Sequence, residues 1–222
     1  YRKATPFPGG KDPEKLLEQQ AVFKEEILFP LLKKAAVGTV DILFIDAAHF
    51  VQGSFCRQMW SLEPLYRPTS HGRYRVNVIG GLDLVNRQVL SMYNDSYIRA
   101  DTITRYFQWL RNRHYVNLEK KLCIILDNAR YQKCDWVREE AENWNIELVY
   151  LPPYSPHFNL IERLWKYMKK KLGREFFYCK ENFRRVIENI LEFVNTDDFS
   201  EQFDSMFTLR FQEFEKSKIL TR

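Results

Sequence analysis

Apolar residues follow two spacings along the chain, and these spacings predict alternating strands and helices. Five short runs rich in apolar residues predict buried strands, with polar residues between them. They cover residues 39–46, 73–82, 87–93, 122–126 and 146–151.

Apolar residues three and four positions apart predict helices elsewhere. They cover residues 13–34, the segment from Ile103 to Leu110, the segment from Val137 to Trp144, residues 159–172, the segment from Phe183 to Val194 and a further helix around residues 198–216. Pro30 is expected to bend or break the last turn of the first helix, because proline lacks the backbone N–H.

The order of elements predicts an α/β fold. Three strands come first, and a helix then precedes each of the next two strands, which indicates a mixed five-stranded sheet flanked by helices. We expect a ribonuclease H-like fold with three segments. Residues 1–38 form a helical segment or linker, residues 39–175 the ribonuclease H-like domain, and residues 176–222 carboxyl-terminal helices packed on it.

Composition favours one domain of an intracellular protein. The chain has 222 residues, of which 45% are hydrophobic, enough for a full core. Its four cysteines form no Cys-x-x-Cys pair, which favours reduced thiols. The sequence has no 18-residue apolar stretch, and its first residues lack a signal-peptide pattern, so we expect a cytoplasmic protein without a membrane segment.

Three acidic residues stand where strands and a helix meet. Asp46 and Asp127 each follow an apolar run, and Glu162 lies one turn into a predicted helix. Carboxylates that converge at one edge of a sheet suit Mg²⁺, which prefers oxygen ligands, and two such ions assist phosphodiester chemistry. The chain has 29 acidic residues, so a chance arrangement is the alternative.

Basic residues follow Glu162 on the same predicted helix. Arg163, Lys166, Lys170 and Arg174 recur at three- and four-residue steps, which aligns them along one face. Beside a metal site such a row would contact DNA phosphates, and the alternative is a solvated helix face. The net charge of +5 alone does not separate these interpretations.

Four further residues are candidates near the acids. Asn159 would orient Glu162 or cap its helix, and Asn128 would face the substrate or hold the turn after its strand. His49 is a candidate proton shuttle or a hydrogen-bonded structural residue. His157 is the histidine that we expect to contact DNA.

Two motifs carry a family resemblance. The segments Asp127-Asn128-Ala129-Arg130 and Leu151-Pro152-Pro153-Tyr154-Ser155-Pro156, with 34 residues between Asp127 and Glu162, resemble DDE transposases of the bacterial insertion-sequence branch of the mariner-like superfamily. The resemblance spans roughly residues 40 to 175.

The resemblance implies that Asp46, Asp127 and Glu162 are the catalytic, metal-binding triad, with two Mg²⁺ ions that Mn²⁺ replaces. It implies cleavage of double-stranded DNA at transposon ends and strand transfer, commonly at a TA dinucleotide. It also implies a homodimer in the active complex, and the bacterial nucleoid as the place of action.

The chain departs from the family pattern in several places. Leu160 stands where relatives commonly have proline, Gln132 where many have histidine, and Ala47 where an acid can follow the first aspartate. The expected amino-terminal helix-turn-helix region is not found, which indicates a catalytic fragment or a protein divided between reading frames. The alternatives are a nuclease that only hydrolyses DNA and a domesticated, non-catalytic DNA-binding remnant.

Overall fold

A computed structural model of the chain describes residues 12–53, 62–64, 66, 73–94 and 96–211. Within them, five strands alternate with helices in the predicted order. The strands are β1 (Asp41–Val51), β2 (Arg75–Asp83), β3 (Gln88–Asn94), β4 (Leu122–Leu126) and β5 (Ile146–Tyr150). The helices are α1 (Pro13–Val22), α2 (Phe29–Ala36), α3 (Ala100–Arg113), α4 (Asp135–Asn143), α5 (Ile161–Leu172), α6 (Lys180–Val194) and α7 (Ser200–Met206).

The strands form one mixed sheet in the order β3-β2-β1-β4-β5. β1 pairs in parallel with β4 over residues 41–44 and antiparallel with β2 over residues 44–51. The pairing of β2 with β3 is antiparallel, and that of β4 with β5 is parallel. The predicted mixed five-stranded sheet is therefore confirmed.

Helices cover both faces of the sheet and enclose two cores. The α5-side core combines the even-numbered residues of β1 with residues of the amino-terminal helices, α5, α6 and α7. The α3-side core combines Leu43 and Ile45 of β1 with α3 and α4. Residues before position 38 and after position 175 thus share a core with the sheet. The division into three segments stays a prediction.

The helical path continues through Pro30, so of the predicted bend or break the break does not occur. Asp12 caps α1, since its carboxylate accepts the Glu14 N–H at 3.0 Å. A π-helical stretch, Phe23–Leu28, then joins α1 to α2, and Phe29 N–H donates to the Lys24 carbonyl. Proline cannot donate to the carbonyl four residues earlier, and the wider turn before Pro30 accommodates that loss.

Other boundaries also differ from the predictions. β1 continues beyond Asp46 to Val51, because β2 still pairs with it after β4 has ended. α5 begins at Ile161 rather than Asn159. In place of the last predicted helix, a 3₁₀ turn (Asp197–Phe199) leads into α7, which ends at Met206, and the predicted end lies outside the described residues. Among those residues, no helix is both long and apolar enough to cross a membrane.

Candidate active site

Strand alternation places Asp46 and Asp127 on the sheet face that α5, which carries Glu162, covers. Asp46 is an even-numbered residue of β1 and faces the α5-side core. In β4 the odd-numbered residues face that core, and Asp127 continues their series just beyond the strand. Phe44 pairs with Ile125, so the same register brings Asp46 level with Asp127. Glu162 lies in the first turn of α5, which covers this face.

The acids affect one another electrostatically. The pKa of Asp46 is raised from 3.8 to about 7, first by burial and then by the negative charges of Glu162 and Asp127. The pKa of Glu162 is also raised by burial and by Asp127, although Lys169 and a hydrogen bond with Asp46 oppose the increase. The three carboxylates therefore lie within electrostatic range of one another.

Trp165 forms a hydrogen bond with Asp46. Its indole is 1% exposed, and Nε1 donates a hydrogen bond of 3.0 Å to Oδ2 of Asp46. The indole fits because Gly80, which pairs with Asp46 across β1 and β2, has no side chain. A Cβ at Gly80 would lie 2.6 Å from Cη2 of Trp165. This role of Trp165 was not predicted from the sequence, although its position three residues after Glu162 was a usable signal.

Asn159 connects the strand and the helix that carry two of the acids. Its buried side chain donates from Nδ2 to the Ile45 carbonyl at 2.9 Å, next to Asp46. α5 has no side-chain cap, so Asn159 does not play the predicted capping role. It acts instead on the β1 backbone, and its own carbonyl accepts the Glu162 N–H at 3.1 Å.

The other two orienting candidates form hydrogen bonds with groups other than the three acids. Asn128 donates from Nδ2 to the Leu151 carbonyl, which holds the turn after β4 against the end of β5. Asp127 fixes the same turn by accepting the Ala129 N–H at 3.2 Å. His49 is an odd-numbered residue of β1, so alternation turns it to the opposite face from Asp46, where Nδ1 lies 2.7 Å from Oδ1 of Asn77.

The predicted row of cations divides into two groups. Lys166, Lys170 and Arg174 are exposed along or just after α5. Arg163 instead donates to three backbone carbonyls of the carboxyl-terminal segment, those of Met206, Thr208 and Arg210, at 3.0, 2.6 and 2.7 Å. Those bonds occupy its guanidinium, so the structure removes Arg163 from the row. Lys169, which the sequence analysis did not single out, lies close enough to lower the pKa of Glu162.

The predicted DNA-contacting histidine is partly buried. His157 lies in a 3₁₀ turn before α5, with its ring 4.3 Å from that of Phe158. Burial lowers its pKa. Its ring is thus packed into the loop, and this environment disfavours the positively charged form that would contact a DNA phosphate.

The donor set fits a divalent cation. Three carboxylates offer the oxygen ligands that Mg²⁺ prefers, and their mutual repulsion would be relieved by positive charge. Among the described residues, no three His, Cys, Asp or Glu side chains are gathered as a metal site in their present positions. Asp46, Asp127 and Glu162 are the residues that would hold the metal.

Comparison with protein families matches residues 41–184 to the DDE superfamily endonuclease family. No curated protein matches the sequence.

Solved structures similar to the chain include the Mos1 transposase catalytic domain with raltegravir and manganese. The two are 15% identical, the match covers 92% of this chain and 99% of that one, and the TM-score is 0.63. The Mos1 mariner paired end complex with manganese is 16% identical over 95% of this chain and 68% of that one, with a TM-score of 0.60. The Mos1 strand transfer complex is 18% identical over 97% and 67%, with a TM-score of 0.61. These similarities confirm the predicted ribonuclease H-like fold.

Proposed function

The chain belongs to the DDE superfamily of endonucleases, and on that premise we propose that it is the catalytic domain of a transposase. It cleaves double-stranded DNA at transposon ends and joins the freed 3′ hydroxyl to target DNA. The observation that carries this proposal is the group of acids on one face of the sheet, where burial and then the negative charges of Glu162 and Asp127 raise the pKa of Asp46 to about 7. Mos1 structures with transposon ends and of strand transfer have the same fold.

The proposed mechanism assigns a task to each residue near the acids. Two bound Mg²⁺ ions, or Mn²⁺ in their place, would polarise the attacking oxygen and stabilise the leaving oxygen. Asp46, Asp127 and Glu162 would hold them, and the Trp165 N–H fixes one oxygen of Asp46 and favours its ionised form. Asn159 holds the β1 backbone beside Asp46.

Binding of DNA would rest on exposed cations near the same face. Lys166, Lys169 and Lys170 of α5 would contact phosphates, which positions a duplex without reading its sequence. A homodimer would bring two such sites to the two ends of an element, and the joining site would be a TA dinucleotide. These two statements follow from the family resemblance.

The proposal is tested by cleavage of a transposon-end duplex with Mg²⁺. Asp46→Asn, Asp127→Asn and Glu162→Gln should each nearly abolish cleavage, because an amide is a poor ligand for Mg²⁺. The triple variant should be scarcely worse than a single one, since the acids act as a unit. Asp41→Asn is the matched control, because Asp41 lies in the same strand but pairs with Lys120 at 2.6 Å. Wild-type cleavage by any acid variant would contradict the assignment of that residue.

A hydrolytic nuclease is the alternative function, and precut ends distinguish it. A transposase should join precut 3′ ends to a target plasmid in the presence of Mg²⁺. A nuclease would shorten or nick the DNA and form no joined product. The joined product, detected on a gel, therefore decides between the two functions.

A further inference from the structure

A second cationic surface lies on the sheet face opposite the acids. Arg75 begins β2, and Tyr97 and Arg99 follow β3 before α3. Tyr97 is 65% exposed, and the guanidinium carbons of Arg75 and Arg99 lie 5.5 and 5.8 Å from its ring centroid. Both contacts are within the range of cation–π attraction. These three residues and His49 are called the Tyr97 patch.

A buried amide holds the patch in place. Asn77 is 3% exposed, and its Oδ1 accepts a 2.7 Å hydrogen bond from Nε of Arg75 and lies 2.7 Å from Nδ1 of His49. Its Nδ2 donates to the Ser96 carbonyl, next to Tyr97. One side chain thus joins β1, β2 and the segment that carries the exposed ring. The cations are pre-organised, which reduces the entropy lost when a ligand binds.

The two arginines have no acidic partner among the described residues. Other exposed arginines do have one, since Arg105 pairs with Asp101 at 3.0 Å and Arg138 with Asp135 at 3.3 Å. Arg75 and Arg99 are exposed, and no ion pair involves either of them in this part of the chain. Two guanidinium groups held beside one aromatic ring suit a ligand with repeated negative charges.

We propose that the Tyr97 patch binds the phosphate backbone of a duplex DNA segment separate from the one held at the acids. The inference rests on the proposed function, in which DNA is the substrate. His49 and Asp46 are three residues apart in β1, about 10 Å along the strand, but point to opposite faces. A duplex that lies along α5 therefore leaves the patch free for flanking or target DNA. Arg75 and Arg99 contact phosphates, and Tyr97 keeps the two guanidinium groups in place.

The test measures the affinity for a random-sequence duplex by fluorescence anisotropy at several salt concentrations, without divalent metal. Arg75→Gln with Arg99→Gln should reduce the slope of log affinity against log salt by about 1.8. The reason is that two phosphate contacts are lost, and each contact accounts for the release of about 0.9 counterion on binding. Arg105→Gln with Arg138→Gln removes the same net charge from paired arginines and should leave the slope nearly unchanged. An unchanged slope in the patch variant, or an equal loss in the control, would overturn the inference.

Two further measurements keep the result unambiguous. Arg99→Gln alone leaves the bonds of Asn77 intact, so a reduction of about 0.9 is expected even if the double variant folds poorly. No reduction in this single variant would contradict the inference. Cleavage of a short duplex that reaches only the acids should persist in the patch variant. If the wild-type protein did not cleave this short duplex, the proposed function would be contradicted. The anisotropy result on the Tyr97 patch would still stand.

Discussion

Replacement of Asp46 by asparagine should remove activity and stabilise the metal-free protein. The folded-state pKa of about 7 lies above the ordinary 3.8, so the folded protein binds this proton more tightly than the unfolded chain does. The resulting stability is fully present below about pH 4 and is lost as the pH rises through about 7. Asparagine resembles the neutral acid at every pH and therefore avoids this loss.

The magnitude follows from the two pKa values. A change from 3.8 to about 7 corresponds to at most about 4 kcal/mol of unfolding free energy for the ionised carboxylate. At pH 8 Asp46→Asn should therefore raise the free energy of unfolding by up to that amount, and at pH 4 it should have little effect. A chain of this size gains about 2–4 °C in Tm per kcal/mol, so an increase of about 10 °C is expected at pH 8.

Thermal unfolding between pH 4 and pH 8.5, in a chelating buffer, measures this effect. Asp41→Asn is the control in the same strand, and it should lower stability by up to about 1 kcal/mol because it breaks the ion pair with Lys120. Added Mg²⁺ should stabilise the wild-type protein more than Asp46→Asn, since only the wild type has all three carboxylates. A variant that is less stable than the wild type at pH 8 without metal would refute the reasoning.

Three other substitutions test particular contacts. Trp165→Phe keeps an aromatic ring but removes the N–H donor to Asp46, so Mg²⁺-dependent cleavage should fall about 10–100-fold in a metal titration. Unchanged cleavage would show that the indole N–H does not support the site. Gly80→Ala places a methyl group against Trp165 and should lower the urea unfolding free energy by about 1–3 kcal/mol, whereas equal stability would show that the indole can move. Lys166→Ala with Lys170→Ala should reduce the salt slope of DNA binding by about 1.8, and an unchanged slope would identify a solvated helix face.

The end of a strand was predicted best where a run of buried apolar residues is followed directly by a charged residue. β4 ends at Leu126 as expected, because five fully buried residues are followed directly by a charged one. β1 was predicted to end at residue 46 but continues to Val51, because pairing with β2 determines where it ends. Residues 45–51 pair with β2 after β4 has ended, and the polar residues Asp46 and His49 within them hide the strand pattern.

Side-chain partners were harder to predict than positions. Arg163 and Lys166 belong to the same three- and four-residue pattern along α5, but Arg163 donates to carbonyls at and after the end of α7, more than 40 residues away, whereas Lys166 is exposed. The hydrogen bond from Trp165 to Asp46 likewise joins residues 119 positions apart. Such contacts depend on how the elements pack together, and spacing along one helix carries no information about them.

The hydrogen bond from Asn159 to the Ile45 carbonyl has a consequence for synthesis of the protein. It joins residues 114 positions apart, so all five strands leave the ribosome before the side chain that connects β1 to α5. A nascent chain that ends before Asn159 contains Asp46 and Asp127 but neither Glu162 nor the indole that holds Asp46. If the three acids form the catalytic site as we propose, nuclease activity would arise on the growing chain only after α5 has been made and has docked on the sheet.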